Sequence, residues 1–132
     1  MSMPVQLLAL ALAGALGTLA RYGLSVAIDS RLLHQAKHPI YGTLLVNALG
    51  CLLFGLILAY LTARAMDDHP MRLILLTGFM GAFTTFSTYA YLTSDLAAKQ
   101  QWFLAGGHLV AHNAIGIMLF ITGTAIGHRL VA

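Results

Sequence analysis

Four apolar runs dominate the chain, near residues 4–28, 41–63, 71–93 and 102–131, with short polar breaks between them. Each run is long enough for the roughly 20 apolar residues that an α-helix needs to cross the hydrocarbon of a bilayer. The breaks are DSRLLHQAKHP (Asp29 to Pro39), RAMDDHP (Arg64 to Pro70) and SDLAAKQQ (Ser94 to Gln101). Connections this short force consecutive helices to run antiparallel. Tyr22, Tyr41, Tyr60, Tyr91 and Trp102 fall near predicted span ends, where amphipathic rings favour the headgroup layer. The pattern predicts an all-α membrane protein, with residues 1–132 forming a single domain of four transmembrane helices.

Composition agrees with the pattern: 59% of the residues are hydrophobic and 8% charged, against about a quarter charged in a soluble domain. A water-facing surface cannot be built from this. The seven basic residues are scattered singly, without the basic run that tracks a phosphate backbone, so nucleic acid is not an expected partner. A single cysteine, Cys51, excludes an intramolecular disulfide and a cysteine metal site, and reads as a small core hydrophobe. The first run is not read as a signal peptide, because no Lys or Arg precedes Arg21 and the run is too long.

Charge then changes the picture. Lys and Arg bias normally fixes which end of a helix faces the cytoplasm. Here Arg64, Arg72 and Arg129 on one side face Arg31, Lys37 and Lys99 on the other. This balance predicts dual topology, with oppositely inserted copies pairing as an antiparallel homodimer.

No span holds an Asp or Glu, since Asp29, Asp67, Asp68 and Asp95 all lie in predicted loops. Cation/proton exchangers keep an intramembrane carboxylate, so that activity is not expected. Arg21, in the first span, either snorkels to the interface or lends positive charge to an anion path. Asn47, among apolar residues of the second span, needs partners; it either glues two helices or donates its amide to a passing anion. In the third span Gly78 and Gly81 weaken the helix, and Thr84, Thr85, Ser87 and Thr88 crowd around Phe86. A broken helix is expected there, since irregular backbone at membrane depth must be buried in protein or line a cavity. Carbonyls freed by a break make a hard-cation site. Phe79, Phe83, Phe86 and Tyr89 are either packing residues or rings whose positive edges stabilise a dehydrated anion. His108 and His112, four apart, could bind a metal, form a polar track, or bond between helices. An enzyme is not expected: there is no nucleophile with a base, no carboxylate pair and no phosphate loop.

Three blocks, AGALGTLARY (Ala13 to Tyr22), GTLLVNALGCLLFG (Gly42 to Gly55) and TGFMGAFTTFSTY (Thr77 to Tyr89), resemble the Fluc family of fluoride channels, also called CrcB. The resemblance implies an antiparallel dual-topology homodimer in the plasma (inner) membrane, with two pathways that export fluoride from a microbial cytoplasm. It also implies a structural sodium ion at the dimer centre, held by backbone carbonyls at Gly81 and Thr84. Asn47 matches the family's pore asparagine, and Phe86 and Tyr89 match its two pore phenylalanines, the second with an added hydroxyl. His108 and His112 stand where the family has a hydroxyl track. With Thr85, Ser87 and Arg21, these residues make up the expected anion pathway. Two other functions share the size and charge balance: a small multidrug or cation exporter, for which a first-span glutamate is missing, and a non-transporting assembly subunit.

Overall fold

The computed structural model describes residues 1–31 and 40–131, and no β-strand occurs among them. Lys37, one of the orientation charges, lies outside the described residues. Three spans are single helices, α1 (Met3–Arg31), α2 (Ile40–Ala63) and α6 (Trp102–Arg129). The remaining span is assembled from α3 (Pro70–Arg72), a π-helical stretch (Leu73–Met80), α4 (Gly81–Phe83) and α5 (Phe86–Ala98). Four helical segments among the described residues are thus long and apolar enough to cross a membrane: Met3–Ile28, Ile40–Ala63, Pro70–Ala98 and Trp102–Arg129.

Spans pair with alternate neighbours, and each pair runs parallel. Along α1, Leu10 and Ala13 meet Gly78, and Gly17 meets Phe79 and Ala82, so both chains advance in the same direction. Along α2, Cys51 meets Gly116, Gly55 meets Phe120 and Thr124, and Ala59 meets Gly127. Lipid offers no hydrophobic drive between helices, so they associate where small residues let backbones touch. Gly123 and Gly127 are the glycines that do this for α6: a Cβ on Gly123 would collide with the Leu52 carbonyl, and one on Gly127 would lie 2.7 Å from that of Leu56. The α2/α6 contact is the most extensive in the subunit. A second junction, around Val46, Met80, Phe83 and Ile28, joins α1, α2 and the third span in an apolar cluster.

The third span ends later than its composition suggests. Ser94 to Ala98 continue α5, leaving only Lys99–Gln101 as connection. Leu92 and Leu96, one turn apart, are buried against Ile40 and Ala105, and Lys99 donates to the Asp95 carboxylate at 2.7 Å. Polar composition marks a loop only when no apolar face continues through it. Here one does. Both α2 and α5 end in Schellman closures: Met66 N–H donates to the Leu61 carbonyl and Gln101 N–H to that of Leu96. The left-handed positions are Ala65 (φ 51°) and Gln100 (φ 59°) rather than glycine.

Candidate functional site

The site is built where α4 gives way to α5. Thr84 (φ −87°, ψ 154°) and Thr85 (φ −142°, ψ 106°) are extended, so backbone groups around them lose their helical partners and must find others. Thr85 N–H, which a continuous helix would direct to the Gly81 carbonyl, donates instead to Asn47 Oδ1 at 2.9 Å. Asn47 Nδ2 donates to the Thr85 carbonyl at 3.1 Å. The amide of Asn47 thus pairs with Thr85 as a neighbouring strand would. Thr88 N–H, the helical donor for Thr84, donates to Thr85 Oγ1 at 3.2 Å, which makes Thr85 the N-cap of α5. The Ala82 carbonyl is taken by Arg21 Nε at 3.2 Å. That role for Arg21 was not among the sequence expectations: its guanidinium ties α1 to the end of α4.

These diversions leave the Gly81 and Thr84 carbonyls without their helical donors. Gly81 is exposed on the subunit surface and Thr84 partly so. Backbone carbonyl oxygens suit a hard cation, so the two residues expected to hold sodium fit it in donor chemistry. Two oxygens are too few to enclose such an ion.

Next to this junction lies a pocket of about 220 Å³, lined by Asn47, Cys51, Thr84, Thr85, Phe86, Tyr89, His112 and Asn113. The Phe86 and Tyr89 rings meet edge-on, with centroids 5.4 Å apart. Phe86 is 77% exposed, so its ring projects from the subunit and is not held in its core. Tyr89 is buried, and its hydroxyl accepts from Asn113 Nδ2 at 3.2 Å. Its ring also lies against His112, 4.5 Å between centroids.

The structure therefore brings together five expected residues, Asn47, Thr85, Phe86, Tyr89 and His112. Three others stand apart from the pocket. Arg21 is bonded behind the junction, Ser87 is exposed on α5, where its hydroxyl lies 3.3 Å from that of Thr85, and His108 lines a separate apolar cleft with Tyr41, Phe103 and Leu104. His108 is buried and bonds across helices, its Nδ1 2.8 Å from Thr93 Oγ1. Among the described residues no cluster of three His, Cys, Asp or Glu could hold a metal ion. Asn113 and Cys51 were not foreseen in the wall. The signal for Asn113 is an amide adjacent to His112 in a largely apolar span; Cys51 carries none, because its side chain resembles its neighbours.

Comparison with known proteins places these observations in a lineage. The family model described as CrcB-like protein, Camphor Resistance (CrcB), matches residues 8–124. A protein of Nitrosococcus oceani named fluoride-specific ion channel FluC is 46% identical over 117 residues, covering 89% of this chain and 91% of the relative. Proteins of the same name from Acidobacterium capsulatum and Chloroflexus aurantiacus are 45% and 38% identical, covering 92% of this chain in each case and 95% and 94% of the relatives. These relatives are named as ion channels, not as enzymes. The extent of the match and the identity over nearly the full length of each relative show that this chain belongs to the CrcB family.

Proposed function

We propose that this protein is a passive, fluoride-selective channel of the plasma (inner) membrane that lowers cytoplasmic fluoride. The observation that carries the reading is the pocket in which Asn47, Phe86 and Tyr89 converge, in a chain whose relatives are named fluoride-specific channels. Fluoride is small and strongly hydrated, so a path must replace its lost water by close donors and ring edges without a fixed charge that would trap it. Asn47 keeps one amide hydrogen beyond the one it gives to Thr85, and the positive edges of the Phe86 and Tyr89 rings supply partial charge. The larger chloride is excluded by size at the rings.

In this reading two copies insert in opposite orientations and pair through the faces that carry Gly81 and Phe86. The third span is broken at mid-membrane, and the break in each copy supplies two carbonyls to a shared sodium ion. Thr84 and Gly81 of both copies then give the oxygens that one subunit lacks, and two fluoride paths flank the centre. The Gly81 and Thr84 carbonyls of the two copies would hold the ion, whose charge would offset the repulsion between their converging dipoles.

Purified protein in liposomes tests the reading. A fluoride electrode should register efflux from vesicles loaded with fluoride, with no chloride efflux under the same gradient. Asn47→Ala and Phe86→Ile should each reduce the rate by at least about tenfold, the loss expected when one well-placed donor or ring contact of about 1.4 kcal/mol is removed. Equal flux of chloride would refute selectivity, and silence in folded wild-type protein would favour an assembly subunit.

A further inference from the structure

The contact between α5 and α6 holds its two histidines in a defined hydrogen-bonding state. Thr93 Oγ1 donates its hydrogen to the Tyr89 carbonyl at 2.8 Å, so towards His108 Nδ1, also 2.8 Å away, it can only accept. His108 Nδ1 therefore carries the ring hydrogen. His112 Nδ1 faces the His108 carbonyl at 3.3 Å, and a carbonyl can only accept, so this nitrogen carries its hydrogen too. In the neutral rings both Nε2 atoms are bare lone pairs. Both are buried without a close hydrogen bond, and the nearest acceptors are backbone groups, Ile40 for His108 and Thr43 for His112.

The two rings stand edge to face with centroids 4.3 Å apart. Two imidazolium charges so close would repel strongly, so one proton serves the pair. Around His112, the titratable groups are Cys51 from α2, Tyr89 from α5 and His108 from its own helix; no carboxylate, lysine or arginine lines the pocket. A proton on the pair would thus be the only full positive charge at the pocket wall. Tyr89 adds a second donor. Asn113 directs its amide hydrogens to the Leu109 carbonyl (2.8 Å) and to Tyr89 Oη (3.2 Å), so the phenol oxygen accepts there and its own hydrogen is left for the pocket.

We infer that His112 and the Tyr89 hydroxyl form a proton-dependent subsite for a small monovalent anion in the pocket wall. The inference rests on the anion-channel reading above. With the imidazole neutral, only the phenol donates to an anion in the pocket. With a proton taken from water, the Nε2–H turns to the Thr43 backbone, the ring beside the pocket carries a full positive charge, and the anion is held more firmly by its field. Linkage makes the effect reciprocal: fluoride in the subsite must raise the proton affinity of the pair by the same factor that the proton raises fluoride affinity.

Two measurements on the purified protein read the two sides of this linkage. Fluoride flux into liposomes is titrated against fluoride concentration between about pH 8 and pH 5.5, the range in which imidazoles exchange protons, with protein-free vesicles correcting for uncatalysed leak of the protonated acid. The half-saturating fluoride concentration should fall about tenfold at the lower pH, the effect of an interaction worth one pKa unit, while His112→Gln removes the dependence and His108→Gln retains it. In NMR titration of ring-labelled histidine, saturating fluoride should move one imidazole midpoint upward by about one unit, and chloride should not. The inference is overturned if wild-type half-saturation is flat with pH, if His112→Gln keeps the wild-type dependence, or if fluoride leaves every histidine midpoint in place. Should His112→Gln fail to fold, the wild-type NMR titration decides. Absence of fluoride flux at every pH would refute the channel reading, and the NMR result would still stand for or against the subsite by itself.

Discussion

Asn47 and Arg21 serve the same need from opposite sides of one irregular segment. Each supplies a side-chain group to a backbone atom that a continuous helix would have satisfied, Thr85 in one case and Ala82 in the other. Replacing Asn47 by Ala should therefore do more than remove an anion donor. Two partly buried hydrogen bonds vanish, and the variant should lose about 1–3 kcal/mol of stability, seen as a lower unfolding temperature in detergent. Asn47→Asp should retain the acceptor for Thr85 N–H yet abolish fluoride flux, because a carboxylate has no amide hydrogen and repels the anion; flux at the wild-type rate would show that Asn47 acts only as a structural clamp. That Asn47 needed partners was legible from one amide in an apolar run. That its partner is Thr85, and that of Arg21 is Ala82, was not, because those contacts join residues 38 and 61 positions apart and local spacing carries no such information. The partner of Asn113, next to His112 in sequence, is illegible for a related reason: it is the one hydroxyl by which Tyr89, 24 positions away, differs from a phenylalanine.

At the scale of the helix, glycine positions divide by what they face. Gly17 and Gly123 lie where a Cβ would collide with the carbonyls of Phe79 and Leu52, whereas Gly106 and Gly107 have open space beside them. Gly17→Ala and Gly123→Ala should each destabilise the fold by about 1–3 kcal/mol, the range for overpacking, while Gly107→Ala should leave it unchanged or slightly more stable; thermal unfolding followed by tryptophan fluorescence ranks them. At the C-terminal ends of α2 and α5 the opposite change is favourable. Ala65→Gly and Gln100→Gly should each add about 1 kcal/mol by relieving left-handed backbone. Number and placement of the spans were readable because an apolar run of that length has few other uses. The π-helical turns of Leu73–Met80 were not, since no residue type marks them. The end of α5 was misplaced because Ser94, Asp95 and Lys99 mask the apolar pair Leu92 and Leu96.

For the molecule as a whole, the near-even distribution of basic residues ties insertion to the proposed pairing. Three lysines appended at the C-terminus should bias every copy to one orientation, and such a variant expressed alone should lose fluoride efflux; uniform orientation with full activity would disprove the antiparallel assembly. Nothing in a single chain's sequence reports how two copies meet, so this level rests on charge balance and on the two carbonyls turned from their helical donors. The parallel pairing of α2 with α6 has a different consequence, for biosynthesis. These helices are the second and the fourth of the described spans, and the glycine surface that locks them, Gly55 on one side with Gly123 and Gly127 on the other, cannot close until the ribosome has delivered α6. Until then α2 waits in lipid with its groove open. Closure of the subunit therefore waits on synthesis of α6, and a nascent chain halted before Trp102 would retain the α1 pairing but leave α2 without its principal partner.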